Sequence, residues 1–473
     1  MDDSTPALSA TERLLAVGLV LGVTLVAFET TAVITALPTI TDELHGDSLY
    51  GVALASYTLA DVVALVATGT LADRKGPALP FILSVTTFIV GLVVAGTAPT
   101  MAVVVLGRAL QGAGTGGFAP LAYVLVKRAF SPRRQAPMYA VLSAGWVLPS
   151  LVAPFFAGFV TQHFGWRWVF LGIIPLAVAV GALASRPMMQ YGPTEPIERR
   201  GGVSGSGGDR ATAGASPGVR LLWAFGAAAG VGALAVGLRA GNIAIAIAVA
   251  TAGAALAVPA LRHLLPQGFF SARRGVPAVL ACRVLATSAF LGVDSFVPLA
   301  ADRIHGATPL VQGLVIIGAA LTWTLGQALM ARRPDVDPRR AVALGFTLLI
   351  AGTALVLPVL WAGWPLWATF LSWPVGGLGM GLLFNPTSVA AMSYAEEGSE
   401  GTVSSQIHLA DSLGFSLMGA VGGAIVAVAD RTSLSLRAGL GLVFSLAIAC
   451  AAIGVLAARR VAARTPMQVT VDV

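Results

Sequence analysis

Glu29, Asp61, Asp294 and Asp411 are carboxylates set inside apolar stretches long enough to cross a bilayer. A charged acid near the bilayer centre costs roughly 2.5–3.5 kcal/mol on insertion scales. A chain that keeps several of them points to proton movement or to recognition of a charged solute. His408 and Asp411 are three residues apart and share a helical face, where a histidine beside a carboxylate can titrate near neutral pH. Tyr57 and Asp61, four apart, share another face. Each acid also has a structural reading: a helix–helix hydrogen bond at Asp61, a local polar pair at His408 and Asp411, a wet vestibule around Asp294. Arg283, near the inner end of its span, is expected to snorkel to the headgroups. Trp146, Trp323, Gln327 and Asn385 are cavity-lining candidates, against ordinary core packing.

The elements that must hold these residues are helices. The chain has 473 residues, 56% hydrophobic and 11% charged, with a mean hydropathy of +0.83; a soluble domain has about 25% charged residues. Barrel strands would alternate apolar and polar over about ten residues, whereas here the apolar runs continue for roughly twenty. The fold class expected is an all-α membrane protein. Its spans fall near 14–40, 50–72, 78–98, 101–127, 136–161, 168–186, 220–238, 242–262, 276–300, 309–330, 341–361, 365–393, 403–429 and 436–459. Residues 1–186 would form an N-terminal six-helix bundle, 187–219 a Gly-rich cytoplasmic linker, 220–262 two extra spans and 263–473 a second six-helix bundle. The segment Leu264–Gly275 reads as an amphipathic stretch on the inner surface.

Charge placement orients the chain. With both termini cytoplasmic, most of the 29 Lys and Arg lie inside, and Arg167, Arg239, Arg303, Arg431 and Arg437 fall outside, as the positive-inside rule requires. That rule accounts for the net charge of +7 without nucleic acid. Cys282 and Cys450 suggest neither a disulfide framework nor a metal site, and no cofactor is expected. The polar opening Met1–Glu12 precedes an apolar run too long for a signal-peptide core, so an uncleaved first span is expected.

Gly69-Thr-Leu-Ala-Asp73-Arg74-Lys75-Gly76 resembles the signature between the second and third helices of the major facilitator superfamily. Gly69 would let helices approach closely, Asp73 could accept from a neighbouring helix N-terminus and Arg74 could pair with an acid or cap carbonyls; together they would gate the inner face. A weaker echo, Gly326 to Arg332-Arg333, hints at a repeat. Arg108-Ala-Leu-Gln111-Gly112-Ala-Gly114 is similar to the family's span-four motif, whose arginine the resemblance implicates in proton transfer. Pro149 to Gly158, with Pro154, resembles the antiporter motif, though only the proline and the last glycine are kept. Phe28-Glu29-Thr30-Thr31, running on to Leu37-Pro38, and Gly165-Trp166-Arg167-Trp168 are similar to the fourteen-helix drug:proton antiporter branch.

The resemblance implies a major facilitator fold and proton-coupled export of an amphipathic or cationic small molecule by alternating access. Taken together with the buried polar residues above, that expectation puts Glu29, Asp61, Arg108, His408 and Asp411 in proton coupling, Tyr57, Gln111, Trp146, Asp294, Trp323 and Asn385 at the substrate, and Gly69, Asp73, Arg74, Gly76, Pro154 and Gly158 in gating. The expected setting is the plasma (inner) membrane, and the expected state a monomer. Export of a lipid or another hydrophobic metabolite is the rival transporter reading. A membrane enzyme or receptor would need a catalytic constellation or a large soluble domain, and the longest loop offers a Gly-rich linker.

Overall fold

The computed structural model describes residues 8–46, 49–192, 217–237, 243–307, 309–333, 335–396, 399–429 and 435–461. Among these residues the regular structure is entirely helical. Residues 193–216 of the expected linker lie outside them.

The chain opens with α1 (Ala10–Glu43), started by a reciprocal capping box between Ser9 and Glu12. α2 (Tyr50–Lys75) stops at Gly76, whose φ of 79° reverses the chain, and α3 (Ala78–Gly96) follows. The next segment is divided into α4 (Met101–Thr115) and α5 (Phe118–Ala129), and the one after into α6 (Pro132–Ala144) and α7 (Val147–His163). α8 (Arg167–Leu171) and α9 (Ile174–Met188) complete the first group. Then come α10 (Pro217–Gly237), α11 (Ile243–Leu264), α12 (Val276–Asp294), α13 (Val297–His305), α14 (Pro309–Ala331), α15 (Pro338–Val356), α16 (Thr369–Ser393), α17 (Glu400–Ala429) and α18 (Leu436–Ala458).

Nine helical stretches among the described residues are long and apolar enough to cross a membrane. The expected spans 101–127 and 136–161 are not continuous: the chain breaks at Gly116–Gly117 and at Gly145–Trp146. Gly116, Gly117 and Gly145 have no side chain to pack, and sequence hydropathy does not register such breaks. Bulky apolar side chains such as Leu222, Phe155 and Leu371 are 68%, 63% and 70% exposed, whereas Glu29, Arg108 and Arg283 are fully buried. That is the inverse of a water-soluble protein. The stretch 264–275 carries a short 3-10 turn at Phe269–Ser271, with Phe270 exposed.

α1–α9 pack mainly on one another, as do α12–α18. The two groups meet where α2 and α5 lie against α17, and where α6 lies against α14 and α16. α10 pairs with α11 and rests on both α2 and α17, across the seam between the groups.

Candidate functional site

Three polar constellations interrupt the apolar interior. In the first, Glu29 of α1 and Arg108 of α4 form a fully buried ion pair. Arg108 Nη1 also donates to Gln111 Oε1 at 2.7 Å, one helical turn on. Its guanidinium lies 4.2 Å from the centre of the Tyr57 ring, and the Tyr57 and Thr30 hydroxyls are 3.2 Å apart. Glu29 Oε2, Arg108 Nε and Gln111 Nε2 are buried with no hydrogen-bond partner among the described residues. Such orphan atoms are costly, and here they surround one pair. Asp61 lies one turn beyond Tyr57, half-buried, and accepts from the Thr115 hydroxyl at 3.2 Å.

In the second, Arg283 of α12 grips Asp411 of α17 with two nitrogens, Nε at 2.8 Å and Nη2 on the other carboxylate oxygen. Arg283 is fully buried, so its expected place at the headgroups is corrected: Asp411 holds it inside. The expected pairing of His408 with Asp411 gives way to this bond. The His408 ring instead meets Tyr123 edge-on at 4.7 Å, and its Nε2 has no partner among the described residues. Asp294 is not simply bathed in a vestibule either, since Trp373 Nε1 donates to it at 2.8 Å. Phe290 stacks on Trp373, and Trp323 stands edge-on to both Phe290 and Phe384 at 5.2 Å. Asn385 is buried and donates to Ala136 O at 2.8 Å, so it ties α16 to α6 instead of lining a cavity. Trp146 is 47% exposed and joins neither cluster.

The third lies at the end that carries the basic loops, where Asp73 does for α17 what an N-cap residue does for its own helix. Its Oδ1 accepts from the Gly401 N–H at 2.6 Å, and its Oδ2 from the Thr402 N–H and hydroxyl at 2.9 and 2.8 Å. The expected reach of Asp73 to a neighbouring helix start is what the structure holds. The approach needs bare backbone: a Cβ on Gly69 would stand 2.8 Å from Ser405 Oγ. Beside it, Lys127 donates to the carbonyls of Met392, at 2.6 Å, and Ala395, which close α16. Arg128 pairs with Glu400 at 2.9 Å, and Ser404 donates to Pro120 O at 2.8 Å. Arg74 is exposed and makes no such bond among the described residues. Gly158 has nothing within 4 Å of a built Cβ, so no close helix approach depends on it. Pro154 is within α7; its side chain lies outside the described residues.

Lys127, Arg128, Glu400, Tyr123, Ser388 and Trp373 were not among the sequence candidates. Lys127-Arg128 was visible there as a topology signal, and Tyr123 and Trp373 as ordinary apolar-span aromatics. Among the described residues no group of three or more potential metal ligands gathers.

A family model described as Major Facilitator Superfamily matches residues 19–419. Two matched proteins of Mycobacterium tuberculosis, both described as an uncharacterised MFS-type transporter, are 30% identical over 351 residues, 72% of this chain and 49% of theirs. The chain therefore spans about half the length of these relatives. A probable multidrug-efflux transporter of the same organism is 27% identical over 454 residues, 92% of each chain. Among solved structures, a human organic anion transporter superposes with a TM-score of 0.69 at 14% identity, covering 95% of this chain and 100% of that one. A proton:xylose symporter gives 0.63 at 14% identity, with 94% of each chain covered. At such identities the likeness is one of fold.

Proposed function

Since this chain belongs to the Major Facilitator Superfamily, we propose that it is a secondary active transporter, exporting an amphipathic or cationic small molecule in exchange for protons. It works by alternating access between two six-helix bundles, with α10 and α11 as additional spans, as in the fourteen-helix drug:proton antiporter branch. The basic-loop end is cytoplasmic, both termini are inside, and the protein sits in the plasma membrane. The conformation is then the one in which the inner end is latched.

The observation that carries this reading is the sealed Glu29–Arg108 pair with its unpartnered carboxylate oxygen. A guanidinium stays charged and can hold an adjacent acid ionised until a proton arrives. Glu29 is closed off from solvent in this conformation, so it would load and release its proton in the other one. Asp61 and Asp411 keep partial exposure and would exchange protons here. Tyr57, Gln111, Asp294 and Trp323 are proposed at the solute path.

In proteoliposomes, Glu29→Gln should abolish substrate-driven proton release while the protein still inserts and folds. Coupling at the wild-type level would rule out the assignment. A second reading, lipid or hydrophobic-metabolite export, is favoured by a crevice at the seam. It is lined mainly by apolar residues such as Leu59, Val62, Val231 and Leu413, with Thr58, Ser412 and Ser416 as its polar members. A lipid-flip assay with and without a pH gradient separates the two.

A further inference from the structure

Arg283 does more than neutralise Asp411. While Nε and Nη2 hold the carboxylate, Nη1 faces the other way. It donates to Ser388 Oγ at 3.0 Å and to Phe384 O at 3.2 Å, with Thr387 Oγ1 at 3.5 Å. Ser388 Oγ is 3.3 Å from the Tyr123 hydroxyl. Tyr123 belongs to α5, in the first helix group, and Ser388 to α16, in the second. A hydrogen-bonded path therefore runs from Asp411 through Arg283 and Ser388 to Tyr123 and crosses the seam between the groups.

We propose that Arg283 is a positioning residue that links proton occupancy of Asp411 to closure of the seam, acting through Ser388 and Tyr123. This rests on the proton-coupled reading above and names a second relay for it. A guanidinium is a rigid planar fork, so a carboxylate that takes two of its nitrogens fixes where the third points. With Asp411 ionised, Nη1 is aimed at Ser388, and the Ser388–Tyr123 contact closes the seam. When Asp411 takes a proton, the grip loses its charge partner and leaves a buried cation uncompensated. The fork then turns toward water or another anion, and Ser388 loses the Arg283 bond that holds its hydroxyl against Tyr123. Among the described residues, the ionisable groups around Asp411 are Arg283 from α12, Tyr123 from α5 and, one turn earlier on its own helix, His408. The 19% exposure of the Asp411 side chain gives a proton access to it in the latched state.

The test places spin labels on Lys75→Cys and Arg332→Cys, exposed positions at the inner ends of α2 and α14, after Cys282→Ala and Cys450→Ala. The inter-label distance is then read from alkaline to acidic pH. In the parent protein the long-distance (open) population should grow as pH falls. Asp411→Asn should be open at all pH values. Arg283→Gln should raise the alkaline open population about tenfold, the equivalent of one pH unit of lost coupling, and flatten the pH response. Arg283→Lys should restore charge but not the response, because a point charge cannot aim a third nitrogen. Ser388→Ala and Tyr123→Phe should weaken closure while leaving the Arg283–Asp411 pair intact, and they carry the test if Arg283→Gln fails to fold. A parental pH response in Arg283→Gln, or unaltered closure in both Ser388→Ala and Tyr123→Phe, overturns the inference alone, provided Glu29→Gln still abolishes coupling. A parent protein with no pH-dependent opening overturns the proton-coupled reading and this inference together.

Discussion

The Glu29–Arg108 pair is the most constrained feature in the molecule. Breaking a buried pair from one side leaves an uncompensated charge, at about 3–5 kcal/mol, whereas removing both charges can be nearly neutral. Arg108→Gln should therefore lower the thermal midpoint in detergent markedly, and Glu29→Gln/Arg108→Gln should recover most of the loss. A double variant no more stable than Arg108→Gln would mean that the two side chains do not act as a pair. The two members of the first pair were each legible, because short motifs in two spans carry them. The second pair was not: Arg283 and Asp411 are 128 residues apart, and helical periodicity carries no information across that distance. Read within its own helix, Arg283 has no partner and the headgroups are its natural destination. His408 beside Asp411 looked like a pair for the same reason, because local spacing was the one geometry the sequence offered.

Among the elements, α2 and α17 decide the inner closure. Their contact depends on backbone meeting backbone at Gly69 and Gly401, where added side-chain atoms have no room. Gly69→Val should hold the helices apart, and a Ser404→Cys probe, now buried, should then react with a polar thiol reagent from the basic-loop side. An unreactive Ser404→Cys would mean that the approach tolerates bulk. Asp73→Asn keeps the shape of the cap but loses its charge against the start of α17. A capping interaction of this kind contributes about 1–2 kcal/mol, so the same probe should gain reactivity by roughly tenfold. The reach of Asp73 to a neighbouring helix start was readable from the sequence because helix ends have fixed polarity. Its neighbours Lys127 and Arg128 were not, since a basic pair at a span end satisfies topology whatever it touches.

For the whole molecule, hydropathy located the apolar segments but not where Gly116–Gly117 and Gly145–Trp146 divide them, and among the described residues nine helical stretches are long and apolar enough to cross a membrane. The position of α10 across the α2–α17 seam was also out of reach, because helical periodicity within one segment does not say which other helices it meets. If the two helix groups rock against each other, tethering their inner ends must stop the cycle. Bridging Arg128→Cys to Glu400→Cys with a short bifunctional thiol reagent should arrest solute movement, and a cleavable version should restore it on reduction. Undiminished transport in the bridged protein would rule out opening at this end.

The turn between α16 and α17 is held by two opposite charges from the other group, Lys127 on the carbonyls that end one helix and Asp73 on the amides that begin the next. Both grips fasten to main chain. The receiving side of the latch is thus mostly main chain, with the Thr402 hydroxyl as a side-chain bond to Asp73 and Gly401 confined to glycine by the close approach. The burden of specificity falls on two side chains across the divide, and loss of either has no remedy on the opposite bank.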